Sequence, residues 1–488
     1  MNGKKKLTRA ILIAFAAETL SVTWLLKIPG WAPFFSILLF LSGVTIALLL
    51  LFFPALSLPP HGKKAWKDPI NHHRLVITGL IALVLYSWSR YWFEEMPIDI
   101  ANADMLPIIK VMGERFLAGQ HSHVYDRIPW IWNGIQPIYL PAMWLPYVPA
   151  LALHIDMRWV TVAGLLFAFG VFLFLYRPRS SRYGSFFLGV IAFLLFWWLV
   201  ADNTPGIVSV AEEGTVIAYY VLLVLALVSG KPWLTGIAIS LCMLSRYALV
   251  GWIPAYLIYL VLEKKWRQLS IISLTGILCF VLLFLVPVGW NTFLRLARLP
   301  GDYIPFAARV WNDSPAVFST APGLAGFFGP GRIAILHGWL IGLSFGLPLP
   351  FVIFCQQYRK RRQTRASRDS DSATSIHRVA SARDSAVPAA PARTILLTRD
   401  SASRAASART ITITSPNTPT RGASIANIPL AALKLSLVIF YCFIDVPYLY
   451  LFYTSSFVSL IMLVLLIRDP QDSTSAIATD AGDPTPNP

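Results

Sequence analysis

Acidic side chains are scarce in this chain: 24 Asp and Glu stand in 488 residues, against 41 Lys and Arg. Charged residues of both signs make up only 13%, about half the ~25% of an average soluble domain. Hydrophobic residues make up 56%. That balance excludes a soluble globular protein, and the many apolar runs of about 18 or more residues read as transmembrane helices. Cysteine is equally sparse. Cys242, Cys279, Cys355 and Cys442 each lie in an apolar segment with no paired spacing. They exclude a disulfide framework and a thiolate metal centre, and read as small buried hydrophobes. P-loop, GxSxG, CxxC and HExxH patterns are all missing, which removes the motif-bearing nucleotide, hydrolase, redox and zinc-protease classes. The net charge of +17 does not call for a nucleic acid partner. Lys and Arg collect in the cytoplasmic loops of membrane proteins, and a basic tract near 359–409 adds more.

What is present is a series of spans near 8–26, 33–54, 74–92, 157–176, 185–200, 215–230, 232–247, 249–262, 269–289, 332–356, 426–444 and 447–467. The predicted fold class is an all-α polytopic membrane protein of about twelve transmembrane helices. Glu18 interrupts the first run and no clear cleavage site follows it, so that run reads as an uncleaved helix. Lys4–Lys6 and the loop with Lys63, Lys64, Lys67 and Arg74 read as cytoplasmic. The interval after the third span is then extracytoplasmic, and both termini are cytoplasmic. Residues 138–153 hold Pro141, Pro146 and Pro149. A helix interior does not tolerate such spacing, and a span there would put Arg177, Arg179 and Arg182 outside. That stretch reads as juxtamembrane or re-entrant. Four longer intervals face outside: 93–156, 201–214, 290–331 and the turn around Asp445. The Ser-, Arg- and Ala-rich stretch from about 363 to 423, with near-repeats such as SARDSA and RDSASRAAS, reads as a disordered cytoplasmic insert.

The scarce acids are not spread evenly. Glu94, Glu95, Asp99, Asp104, Glu114 and Asp126 fall between Phe93 and Tyr139. Carboxylates at a membrane surface suit a lipid-dependent transferase; a solvated loop shows the same composition. Asp104 precedes an amphipathic stretch, Leu106–Phe116, so an N-cap is the plain alternative to a catalytic role. Arg246 sits between two apolar stretches, either as a functional group or as a snorkelling interfacial side chain. Glu212 and Glu213 either face the first loop or form a solvated turn. His121 and His123 are too few for a metal centre.

The order Asp104, Gly119, Tyr125, then Tyr139, Leu140 and Pro141 resembles the first external loop of GT-C-type glycosyltransferases. It is most similar to glycosyltransferase family 87, whose pattern has a Tyr-Pro-Pro-like element where Leu140 replaces the middle Pro. The likeness runs on through Gly214, although the family's neighbouring Gln and Asn are not kept. It continues through the hairpin with Arg246 at its tip, and to an Asn-x-Ser-like element at Asn312 and Ser314. It covers about residues 74–360.

The resemblance implies a membrane glycosyltransferase (a GT-C-like hexosyltransferase) that moves a hexose, mannose being the family's sugar, from a polyprenyl-phosphate donor. The acceptor is a lipid-linked molecule or glycan on the outer face of the inner (plasma) membrane. Asp104 is the implied general base, with Asp99 the live competitor. Arg246, Arg298, Arg309, Tyr125, Tyr139, Glu213 and Asn312 are the implied substrate- and phosphate-binding residues. No cofactor is called for, and a divalent cation is the one conceivable addition. The expected partners are donor, acceptor and membrane lipids. The expected organisation is two additional helices in 1–73, a catalytic core in 74–360, the insert in 361–425, a helical hairpin in 426–468 and a disordered tail in 469–488. Two rival readings stand beside this one: a transporter or flippase of lipid-linked saccharides, and a non-catalytic scaffold of the same fold.

Overall fold

The computed structural model describes residues 2–28, 30–53, 56, 69–132, 134–175, 206–319, 321–361, 364, 427–446 and 448–467. These are overwhelmingly helical; the only β pairing among them is an isolated bridge, Ile128 to Ile135. Seven helical segments are long and apolar enough to cross a membrane: Lys6–Lys27, Ala32–Leu50, Val76–Glu95, Arg158–Leu175, Trp266–Val288, Pro330–Arg361 and Leu449–Leu466. The chain is an all-α membrane protein. Four further predicted spans fall on shorter apolar helices, Glu213–Ser229, Pro232–Met243, Trp252–Leu262 and Asn427–Phe443. The predicted span 185–200 and most of the 363–423 insert lie outside the described residues, as does the tail.

The chain forms two compact units, Met1–Val352 with Ser424–Pro488, and Ile353–Ala423. The second is helical in its described part, 353–361 and 364. The first holds the helices α1 (Asn2–Thr23), α2 (Ala32–Leu50), α3 (Pro69–Glu95), α4 (Met105–Leu117), α5 (Arg158–Leu175), α6 (Glu213–Ser229), α7 (Pro232–Met243), α8 (Trp252–Leu262), α9 (Trp266–Phe280), α10 (Trp290–Asp313), α11 (Ile333–Gly346), α12 (Asn427–Phe443) and α13 (Tyr453–Ile467).

Helix α12 is buried along nearly its whole length and packs against α2, α8 and α11. An apolar helix shielded on all sides is the centre of a bundle. Helix α13 joins it to α1, α5 and α6. The α5–α6 crossing is set by glycine. A Cβ on Gly214 would lie 2.2 Å from the Thr161 carbonyl oxygen, and one on Gly164 would lie 2.3 Å from that of Gly214. Small residues allow such backbone approach inside a membrane, where packing drives association. The α6–α7 turn follows the usual stop and start chemistry: Gly230 ends α6 at φ +66°, and Pro232 opens α7.

The 93–156 interval is a folded unit. Arg158, at the start of α5, chelates Asp156 and donates to the carbonyls of Phe93 and Met96 at 3.0 and 2.5 Å. This pins the end of α3 to α5. The proline-rich stretch breaks into Pro141–Trp144, Leu145–Tyr147 and Val148–Ala152, none long enough to span. The prolines sit in the first turns, where a missing N–H is tolerated. Ala142 N donates to Leu244 O at 2.9 Å, which brings Tyr139 beside the tip of the α7–α8 hairpin. After α10, Gly323 N donates to Ser36 Oγ at 2.7 Å and Leu324 N to Cys442 O at 2.6 Å, tying that segment to α2 and α12.

Candidate functional site

Asp104 stands at the N-terminus of α4 but does not cap it. Its carboxylate faces away from the helix instead. Oδ2 accepts a hydrogen bond from Trp132 Nε1 at 2.8 Å, and Oδ1 accepts one from Tyr448 OH at 2.9 Å. Trp132 holds φ at +48°, a conformation that is rare for a bulky residue and marks local strain. Tyr448 comes from the α12–α13 connection, and its ring stacks on Tyr450 with centroids 5.3 Å apart. Burial pushes the Asp104 carboxyl above its ordinary value, while the Tyr448 and Trp132 donors act to lower it. A carboxylate still has lone pairs free with two donors bound, so Asp104 keeps the capacity to accept a proton.

The other five acids of the window are accounted for differently. Asp99 is exposed, and its Oδ1 accepts from the Ala101 amide at 3.2 Å, a local turn. Glu94 pairs with Arg90 at 3.3 Å and Glu114 with Lys110 at 3.9 Å, both along exposed helix faces. Glu95 is exposed. Asp126 binds His123 at 2.6 Å and Arg295 at 3.1 Å. Burial alone would raise the Asp126 carboxyl, but the His123 hydrogen bond and the Arg295 charge more than offset it and hold it below the usual range.

Behind Asp104 lies a second polar group. Arg246 is 8% exposed and forms ion pairs with Glu212 at 2.6 Å and Glu213 at 2.7 Å, both carboxylates being fully buried. Glu213 also accepts a hydrogen bond from Thr454. Arg246 is thus not a snorkelling side chain: its buried guanidinium pairs with both neighbouring carboxylates. Glu212 and Glu213 are not a solvated turn. Half-buried Tyr139 lies in electrostatic reach of both groups, Asp104 and Tyr448 on one side, Glu212 and Arg246 on the other. Burial first, and then those acidic neighbours, hold its hydroxyl well above the ordinary tyrosine value.

A cavity of about 370 Å³ opens between the 127–138 segment and α10, lined by Arg127, Gln136, Ile138, Tyr303, Phe306 and Arg309. Tyr303 connects it to the rest: it is in electrostatic reach of Asp104 and Asp445. His337 Nε2 lies 3.3 Å from Asp445 Oδ1.

Of the residues picked out in the sequence, Asp104, Tyr139, Glu213 and Arg246 converge, and Arg309 lines the cavity. Tyr125 is fully buried, and its hydroxyl accepts from Trp144 Nε1 at 3.1 Å; it packs the loop. Asn312 is exposed near the end of α10. The side chain of Arg298 lies outside the described ones. Trp132, Tyr448, Tyr303 and Arg127 were not legible as site residues. Trp132 had one local signal, a Trp-Asn-Gly turn; Tyr448 had none beyond a tyrosine-rich run.

Among the described residues no three His, Cys, Asp or Glu side chains converge as a metal centre requires. Compared with known protein families, curated proteins and solved structures, the chain matches none.

Proposed function

We propose that the chain is a membrane glycosyltransferase of GT-C type, with about twelve spans, cytoplasmic termini and its site on the extracytoplasmic face of the plasma membrane. It transfers one hexose, with mannose the first sugar to try, from a polyprenyl-phosphate donor to a lipid or glycan acceptor. The observation that carries this reading is the setting of Asp104. It is the acid of its window that is drawn off its helix cap, half-buried and held by two donors from distant segments.

The chemistry follows from that setting. The acceptor hydroxyl oxygen attacks the anomeric carbon and forms the new glycosidic bond. The bond from that carbon to the phosphate oxygen breaks, and polyprenyl phosphate leaves with the electron pair. Asp104 takes the hydroxyl proton. A raised carboxyl pKa suits this role, because a base works best when its pKa approaches the working pH. Trp132 and Tyr448 fix the orientation of the carboxylate, and positioning of that kind is a large part of catalysis.

Membranes carrying the chain are expected to move labelled sugar from a polyprenyl-phosphate hexose into an acceptor lipid or glycan fraction. Membranes carrying Asp104→Asn, inserted to the same level, are expected to lose about 10²–10⁴-fold in rate. Undiminished transfer by Asp104→Asn would remove the base assignment.

One observation favours the transporter reading. Glu18 and Lys434 form an ion pair inside the bundle, and intramembrane charges mark transport paths. Against it, Glu18 also accepts from Ser455 at 3.3 Å and from Ser459 at 2.8 Å, which reads as a closed tie between α1, α12 and α13. Uptake of a lipid-linked saccharide across vesicles that is abolished by Glu18→Gln would favour the transporter.

A further inference from the structure

We infer that the cavity between the 127–138 segment and α10 is a phosphate site, with Arg127 and Arg309 as the binding cations. The inference rests on the transferase reading only in naming the phosphate's carrier as a lipid.

The first argument is charge. Arg246 was the leading cation by sequence, but it is neutralised by Glu212 and Glu213. Arg127 and Arg309 are exposed, line one cavity, and have no acidic partner among the described residues. Two uncompensated guanidinium groups on one cavity select an anion, and a guanidinium matches phosphate oxygens with paired donors.

The second argument is construction. The backbone that carries Arg127 is held from below. Arg115 of α4 donates to the carbonyls of Asp126 at 2.6 Å and Arg127 at 3.2 Å, and also to those of His123 and Val124. Arg295 of α10 reaches across to Asp126 at 3.1 Å and to Ser122 O at 3.2 Å. Arg295 therefore ties α10 to the segment that carries Arg127, and the backbone under Arg127 is fixed before any ligand arrives.

The third argument is content. Gln136 adds an amide, Phe306 and Tyr303 add aromatic faces, and the volume of about 370 Å³ falls in the range of small-molecule sites. Tyr303, on the cavity wall, is in electrostatic reach of Asp104. Such a cavity suits a phosphate ester, and the ester is either a lipid phosphate or a soluble phosphorylated compound.

The test is equilibrium binding to the full chain purified in a neutral maltoside detergent. The probes are a labelled polyprenyl monophosphate, the same polyprenol without phosphate, and inorganic phosphate as competitor. The wild type is expected to bind the phosphorylated lipid at least about tenfold more tightly than the polyprenol, and binding should weaken as salt rises. Arg127→Gln with Arg309→Gln is expected to lose at least about tenfold in affinity, with an unchanged unfolding temperature as the control for folding. Competition by inorganic phosphate at concentrations equal to the lipid supports the site and identifies a soluble phosphorylated ligand. Competition only at large excess supports the site and identifies the lipid. Wild-type affinity in the double variant, or no preference for the phosphorylated lipid, overturns the inference. Asp104→Asn is expected to bind as the wild type does. Lost transfer in Asp104→Asn with unaltered binding in the double variant would sink this inference alone. Absence of sugar transfer by the wild type, with binding lost in the double variant, would sink the transferase reading alone.

Discussion

Asp104 is defined by what holds it. Each hydrogen bond donated to a carboxylate favours its charged form, so removing one raises its pKa. Tyr448→Phe deletes the donor at 2.9 Å while keeping the ring. Burial already holds this carboxyl above its ordinary value, so the substitution moves it further up. A base must be deprotonated to act, so transfer falls as pH drops through its pKa. The acid limb of the kcat/KM profile is therefore expected to shift to higher pH in Tyr448→Phe, and Trp132→Phe is expected to shift it in the same direction. Arg246 sits in a different setting, paired with two buried carboxylates. Arg246→Ala leaves Glu212 and Glu213 buried without their counter-charge, a change that typically costs about 3–5 kcal/mol. Thermal unfolding should show a large loss, reduced when Glu212→Gln and Glu213→Gln are added.

At the scale of elements, the spans were readable because an apolar run of the right length has few other fates. Eleven of the predicted segments coincide with apolar helices in the described residues, and the 138–153 stretch breaks into short pieces where its prolines fall. Helix α4 was also legible, from its amphipathic pattern and the polar residue before it. The site was legible only in part. Asp104 stood out, but its partner Tyr448 is 344 positions away along the chain, and no local pattern carries that distance. Arg246 looked like a ligand because an intramembrane Arg usually has a function; its two carboxylates, neighbours in sequence, were the clue to a closed cluster. Gly214 shows how an element sets the site. Gly214→Ala places a Cβ 2.2 Å from the Thr161 carbonyl, which pushes α5 and α6 apart next to Glu213. Overpacking of this kind costs about 1–3 kcal/mol or more. Folded yield in membranes is expected to fall, with residual activity lower than the folded fraction alone explains.

Across the whole molecule, the buried polar groups divide into ties and tools. Glu18 and Lys434 are a tie: with Ser455 and Ser459 they join α1, α12 and α13. Breaking one partner leaves a charge in an apolar interior. Lys434→Met alone is expected to destabilise by about 3–5 kcal/mol, and Glu18→Gln with Lys434→Met by less, while sugar transfer per folded molecule stays near that of the wild type. A transporter that used this pair would lose its activity in the double variant. Asp104 is the proposed tool. The central claim is that Asp104, and not Asp99, takes the proton during transfer. The direct measurement is transfer rate at saturating donor for wild type, Asp104→Asn and Asp99→Asn, each normalised to protein inserted in the membrane. The account predicts a loss of about 10²–10⁴-fold for Asp104→Asn and a rate near that of the wild type for Asp99→Asn. The reverse order, or equal rates in all three, would contradict it.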